Sequence, residues 1–130
     1  MSWNIVLTPD AERWFMDLDQ RDANRIAAAI DMLQEHGPGL GRPVVDSVKG
    51  SRHHNLKELR SRGGHLRALF AFDPSRTAVV LVGGDKTNDW TGWYRHNVPR
   101  ADRLNDQHLK EGGWGSQGPS SGRPSGGRGR

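Results

Sequence analysis

Asn55-Leu56-Lys57-Glu58-Leu59-Arg60, Leu66-Arg67-Ala68-Leu69-Phe70-Ala71-Phe72 and Thr77-Ala78-Val79-Val80-Leu81-Val82 are three β-rich runs in close succession. Ser61-Arg62-Gly63-Gly64 separates the first two and Asp73-Pro74-Ser75-Arg76 the last two, and both connectors have turn composition. An antiparallel meander follows from that alternation. Period-two geometry puts Leu66, Ala68, Phe70 and Phe72 on one face of the middle strand and Arg67, Leu69 and Ala71 on the other.

Upstream, Trp3 to Leu7 reads as a short strand, and Thr8-Pro9-Asp10 starts a helix with Thr as the cap and Pro at the first helical position. Ala11, Trp14, Phe15 and Leu18 recur at helical spacing. After the polar break Asp19-Gln20-Arg21-Asp22, a second stripe runs through Ala23, Ile26, Ile30 and Leu33 and stops at Gly37-Pro38. These stripes describe a helical hairpin whose outer surface is acidic. Downstream, residues 83–97 read as a polar loop carrying Trp90, Trp93, Tyr94, Arg95 and His96, and a short last helix is expected from Val98-Pro99 to Gly112-Gly113.

The chain has 130 residues, no cysteine and a net charge of +4. That length holds one domain. Absence of cysteine excludes disulfides, zinc–thiolate sites and thiol nucleophiles. No apolar run approaches a membrane span and the N-terminus has no secretory pattern, so a cytoplasmic protein without membrane contact is expected. Residues 112–130, with eight Gly, four Ser and three Arg, cannot bury enough apolar area to offset backbone entropy and read as a disordered tail, leaving a domain over residues 1–111.

The charge is unevenly distributed. Residues 1–41 carry three basic and seven acidic groups, whereas residues 42–76 carry eight basic and three acidic. Lys57, Arg60 and Arg67 fall inside the expected strands, and Lys86 just past the end of another. Lys57 and Arg60 point to opposite faces of an ideal strand, so a shared site needs a bulge or a strand edge. Either these cations form a site or they coat a solvated sheet face with Glu58 pairing one of them. Rings interleaved with cations in the segment 90–97 suit stacking on unstacked bases with phosphate contacts; equally, Trp90 and Trp93 can anchor that segment to the core. His53-His54 lacks the third ligand that a metal site needs, and no cofactor is called for.

Leu56-Lys57-Glu58-Leu59-Arg60, the Arg-bearing strand from Leu66, the run from Val79 to Thr87 and the Trp93 to Ala101 segment together resemble the RelE/ParE toxin superfamily, most nearly its phage-derived HigB-like branch. The resemblance covers residues 3–111. It implies an α+β fold in which an N-terminal helical hairpin packs on a small twisted antiparallel sheet, with a short C-terminal helix. It also implies a toxin that cleaves messenger RNA on the ribosome without a metal, held inactive by a helix-turn-helix antitoxin. Carried over by position, the catalytic face falls on Lys57, Arg60, Arg67 and Lys86, with Tyr94 and His96 near the place of the acid or base. Arg52, His54, Arg62, Trp93 and Arg95 then fall to RNA binding.

In that chemistry the adjacent 2′-hydroxyl attacks the phosphate. Arg60 and Arg67 would clamp the phosphate, Lys57 or Lys86 would act as base, and Tyr94 or His96 as acid. Two other readings stand beside it: a ParE-like, non-nucleolytic toxin acting on DNA gyrase, and an inactive RNA- or ribosome-binding module.

Overall fold

The computed structural model describes residues 2–111 except His54, Gly63, Lys86, Asn88 and Asp89. The predicted tail therefore lies outside the described residues. The elements are β1 (Asn4–Leu7), α1 (Pro9–Met16), α2 (Gln20–His36), β2 (Val45–Ser47), β3 (Leu56–Arg60), β4 (Leu66–Asp73), β5 (Thr77–Asp85) and α3 (Trp90–Lys110). The sheet runs β1-β5-β4-β3-β2.

The meander forms as its sequence dictates: β3 pairs antiparallel with β4, and β4 with β5. The sheet as a whole is mixed, not antiparallel, because β1 lies parallel to β5 with Ile5 opposite Ala78 and Val6 opposite Val79. The connection from β1 to β5 runs through the helical hairpin and strands β2 to β4, longer than the crossover that a parallel pair requires. Thr8 closes the strand-to-helix corner twice over. Its hydroxyl donates to the Leu81 carbonyl at 2.6 Å and accepts from the Ala11 N–H at 3.1 Å, capping α1 as the Thr-Pro pair predicts. Asp19 caps α2, and Gly37 ends it with φ of 56°, in the region open to glycine.

Two elements differ from expectation. Strand β2 pairs with β3, bringing Asp46 opposite Glu58. The last helix is not short: α3 starts at Trp90, so the segment read as a loop is its first turns, with Pro99 inside. Pro99 has no N–H to give to the carbonyl four residues back, but it lies on the exposed side, where solvent can reach that carbonyl. Trp93, Tyr94, Val98 and Ala101 hold these turns by packing against the sheet.

Each sheet face has its own core. Ala68, Phe70, Ala78 and Val80 pack with Ala11, Ala29 and Leu33 under the hairpin. Leu56, Leu69, Ala71, Val79 and Leu81 pack with Val98 and Ala101 of α3. Arg67 therefore does lie on the face opposite the phenylalanines. A register shift, with Leu69 opposite Val82 and Phe70 opposite Val80, leaves Leu81 unmatched and lets both Leu81 and Val82 join the α3-side core.

Candidate functional site

Where β3 and β4 meet the first turns of α3, four side chains converge. Arg60 and Arg67 are directly opposed in the β3–β4 ladder and share the α3 face. Like charges placed so would repel. Glu58, two residues before Arg60 and on the same face, separates them: its Oε2 accepts from Arg60 Nε at 2.8 Å, and its Oε1 lies 3.7 Å from Arg67 Nε. Oε1 also accepts the hydroxyl of Tyr94 from α3. Glu58 is only 2 % exposed, a carboxylate that burial would penalise without these partners.

Arg60 reaches past Glu58 to Asp46 of β2 at 3.0 Å and so forks between two carboxylates, which hold it firmly charged. Arg67 Nη1 donates to the carbonyls of Leu66 and Gly64, while its buried Nε–H has no hydrogen-bond acceptor. Burial, followed by the hydrogen bond to Glu58, pushes the Tyr94 phenol up to about 12, against the opposing pull of Arg67. The phenol stays protonated throughout the physiological range. Arg60 and Tyr94 remain partly exposed, so the cluster opens to solvent through them.

Trp93 stacks edge-on against Tyr94 with ring centroids 5.1 Å apart. Its indole also lies close against the backbone of β5 at Gly84. A Cβ on Gly84, the residue opposite Arg67, would sit 2.3 Å from Trp93 Nε1. On the other face a Cβ on Gly83 would sit 2.2 Å from the ring of Trp14. Consecutive glycines thus let one tryptophan from each helical layer clamp the end of β5, and Trp93 becomes one wall of the cluster.

Of the sequence-assigned residues, Arg60, Arg67, Tyr94 and Trp93 come together. Lys57 does not: it stands opposite Phe70 on the hairpin face, since β3 has no bulge to turn it. His96 is exposed and lies two residues along the helix from Tyr94, about 200° around it, so the alternation expected of an extended segment is lost. Arg95 is likewise exposed on α3, and Arg62 on the β3–β4 turn. Arg52 is occupied elsewhere. Its guanidinium holds Asp106 at 2.6 Å, and Asp106 lies about 18 Å along α3 from Tyr94. Lys86 and His54 lie outside the described residues. No cluster of metal-ligating residues is found among the described residues. Sequence reading missed Glu58 as the hub and Asp46 as its companion; the acid between two cations in Lys57-Glu58-Leu59-Arg60 was the available signal.

The family of phage-derived Gp49-like proteins matches residues 13–106. The chain is 49 % identical over 105 residues to a Mycobacterium tuberculosis protein carrying the name toxin HigB3, covering 81 % of this chain and 92 % of that protein. Among solved structures, a mutant of the E. coli toxin RelE in the free state superposes with a TM-score of 0.58 at 13 % identity, over 77 % of this chain and 98 % of that one. The M. tuberculosis toxin–antitoxin complex RelBE2 superposes with a TM-score of 0.52 at 19 % identity, over 66 % of this chain and 100 % of that one. With the family match and the 49 % identical relative in agreement, the chain belongs to the phage-derived Gp49-like family of HigB-like toxins, and its fold is that of the RelE toxins.

Proposed function

We propose that this HigB-like toxin, of a type II toxin–antitoxin system, is an endoribonuclease that cleaves messenger RNA on the ribosome and so stops translation. The observation that carries this reading is the convergence of Arg60, Arg67 and Tyr94 on one buried carboxylate at the open end of the sheet. Two guanidiniums supply planar donors for a phosphate. In the step itself the 2′-oxygen bonds to phosphorus, the bond to the 5′-oxygen breaks, and the arginines stabilise the charge of the five-coordinate phosphate. Tyr94, protonated at neutral pH, gives its proton to the departing 5′-oxygen, and Arg67 beside it favours the phenolate that results. Glu58 is the positioning residue that holds all three groups in register. The 2′-hydroxyl proton is assigned to Lys86, which follows the last residue of β5 in the chain and whose amine must be neutral to accept it.

An antitoxin is the expected partner, in keeping with the toxin–antitoxin complexes among the structural neighbours, and a helix-turn-helix protein is the kind proposed. Among the described residues no helix is long and apolar enough to cross a membrane. The proposed action on ribosomes calls for a cytoplasmic protein. The test is purified protein added to ribosomes translating a defined message, beside a gyrase supercoiling assay. Fragments ending in 2′,3′-cyclic phosphate support the reading. Inhibited supercoiling with an intact message would replace it with the ParE-like one.

A further inference from the structure

The sheet separates two helical layers of opposite charge. Residues 9–36 of the hairpin layer hold seven acidic and three basic groups, whereas α3 holds four basic and two acidic. Both acids of α3 are already engaged. Asp102, 2 % exposed, accepts the Ser51 hydroxyl at 2.6 Å and the Arg52 N–H at 3.1 Å. Asp106 takes Arg52 at 2.6 Å and His53 at 2.8 Å. Arg100 is likewise consumed, reaching Asp10 of α1 at 2.6 Å. The remaining cations of α3, Arg95, Arg103 and Lys110, are exposed and form no ion pair or hydrogen bond among the described residues. At 100° per residue they fall, with His96, within about 100° of arc on the side of α3 turned away from the sheet. They make a straight row about 22 Å long from Arg95 to Lys110.

We infer that this row is a second RNA contact, a docking track for the phosphate backbone of base-paired RNA, distinct from the cleft that receives the message. The choice of occupant follows from what the row lacks. Trp93 and Tyr94 are turned into the sheet-side core, so among the described side chains the row has no ring on which unpaired bases can stack, the device by which single strands are held. Exposed cations spaced along a rigid rod, with Asp106 in the same arc already held by Arg52, suit the regular phosphates of a duplex and read no sequence. The acidic hairpin layer opposes the same ligand, so the charge of the molecule orients it with α3 toward folded RNA. The inference rests on the reading that this toxin acts on ribosomal messages, and gives the ribosome's own paired RNA a surface to meet.

The test is binding of the full chain to a 2′-O-methyl RNA duplex, which has no free 2′-hydroxyl to be cleaved, measured across a salt series for the wild type and for the triple variant Arg95→Gln, Arg103→Gln, Lys110→Gln. These side chains are solvent-exposed and unpaired, so the variant folds, as circular dichroism will verify. Affinity near 0.1 M salt is expected to fall about a hundredfold, and the slope of log K against log salt to become shallower by about 2 to 3, close to 0.9 per lost phosphate contact. The variant Arg95→Lys, Arg103→Lys, Lys110→Gln should recover most of both. Unchanged affinity and slope in the triple variant, or failure of the wild type to bind the duplex, would overturn the inference. Cleavage of a translated message is scored separately: cleavage with an unchanged slope defeats only the docking track, and a shallower slope without cleavage defeats only the nuclease.

Discussion

Arg60 and Arg67 stand directly opposite each other across β3 and β4, and Glu58 lies between them. Two guanidiniums in adjacent strands, on a face that α3 covers, are stable only because a buried carboxylate shares itself between them. The carboxylate therefore has a structural role that is inseparable from the chemistry proposed for its partners.

Replacing Glu58 with Gln keeps the shape but removes the charge. Arg60 retains Asp46, whereas Arg67 loses its nearest carboxylate while remaining buried. A loss on the order of 3 kcal/mol is expected, read as a lower urea midpoint with an unchanged slope. Removing Asp46 as well, with Asn, should cost more than the two single changes together, because Arg60 then has no carboxylate left to balance its charge.

Tyr94 is the chain's single tyrosine, so phenol absorbance near 295 nm reports on it alone. The wild type should titrate at about 12. In Glu58→Gln the midpoint should fall while staying above an ordinary phenol, since burial, the larger cause, persists. Because the folded phenol is raised, its contribution to stability is fully present below pH 10 and is lost as pH climbs toward 12. A midpoint near 10 in the wild type would show that the hydroxyl is not held by Glu58.

Gly84 and Gly83 test the tryptophan clamp. Alanine at either position places a methyl group within 2.3 Å of an indole, and that ring must move. Each change is expected to cost about 1 to 3 kcal/mol. They should differ in function: Gly84→Ala displaces Trp93 beside Arg67 and impairs cleavage, whereas Gly83→Ala displaces Trp14 on the hairpin face and leaves cleavage by the folded fraction intact.

The meander, the hairpin and the Thr8-Pro9 corner were legible because each is decided locally, by alternation, helical spacing and capping. The rest depends on partners far along the chain. Residues 90–97 look like a loop, with Gly92, polar neighbours and Pro99 just beyond, and become helical because Trp93 and Tyr94 bury themselves on β3–β5. Three residues of β2 are too few to show a period. Glu58 reads as one more surface charge until α3 folds over it, and the side of the sheet that Lys57 takes is fixed by the unbroken pairing of β3 with β4.

His108 is fully buried, and its Nε2 lies 2.9 Å from Asp73 Oδ2, fastening the end of α3 to the β4–β5 turn. Burial raises the Asp73 carboxyl, but the hydrogen bonds from His108, Ser75 and Thr77 outweigh it and hold the carboxyl below the usual range. Its contribution to stability is therefore present above about pH 4 and is lost as pH falls through the lowered value. Asp73→Asn should lower stability at pH 7 and flatten its decline below pH 4, measured by thermal unfolding in a pH series.

The most direct measurement is the single-turnover rate at which a ribosome-bound message is cut by the wild type and by Arg67→Lys, each first shown to be folded. Lysine keeps the positive charge but cannot offer a planar pair of donors to the phosphate. The cluster requires a fall of at least about a hundredfold, with 2′,3′-cyclic ends on the wild-type fragments. Cutting by folded Arg67→Lys at the wild-type rate would contradict it.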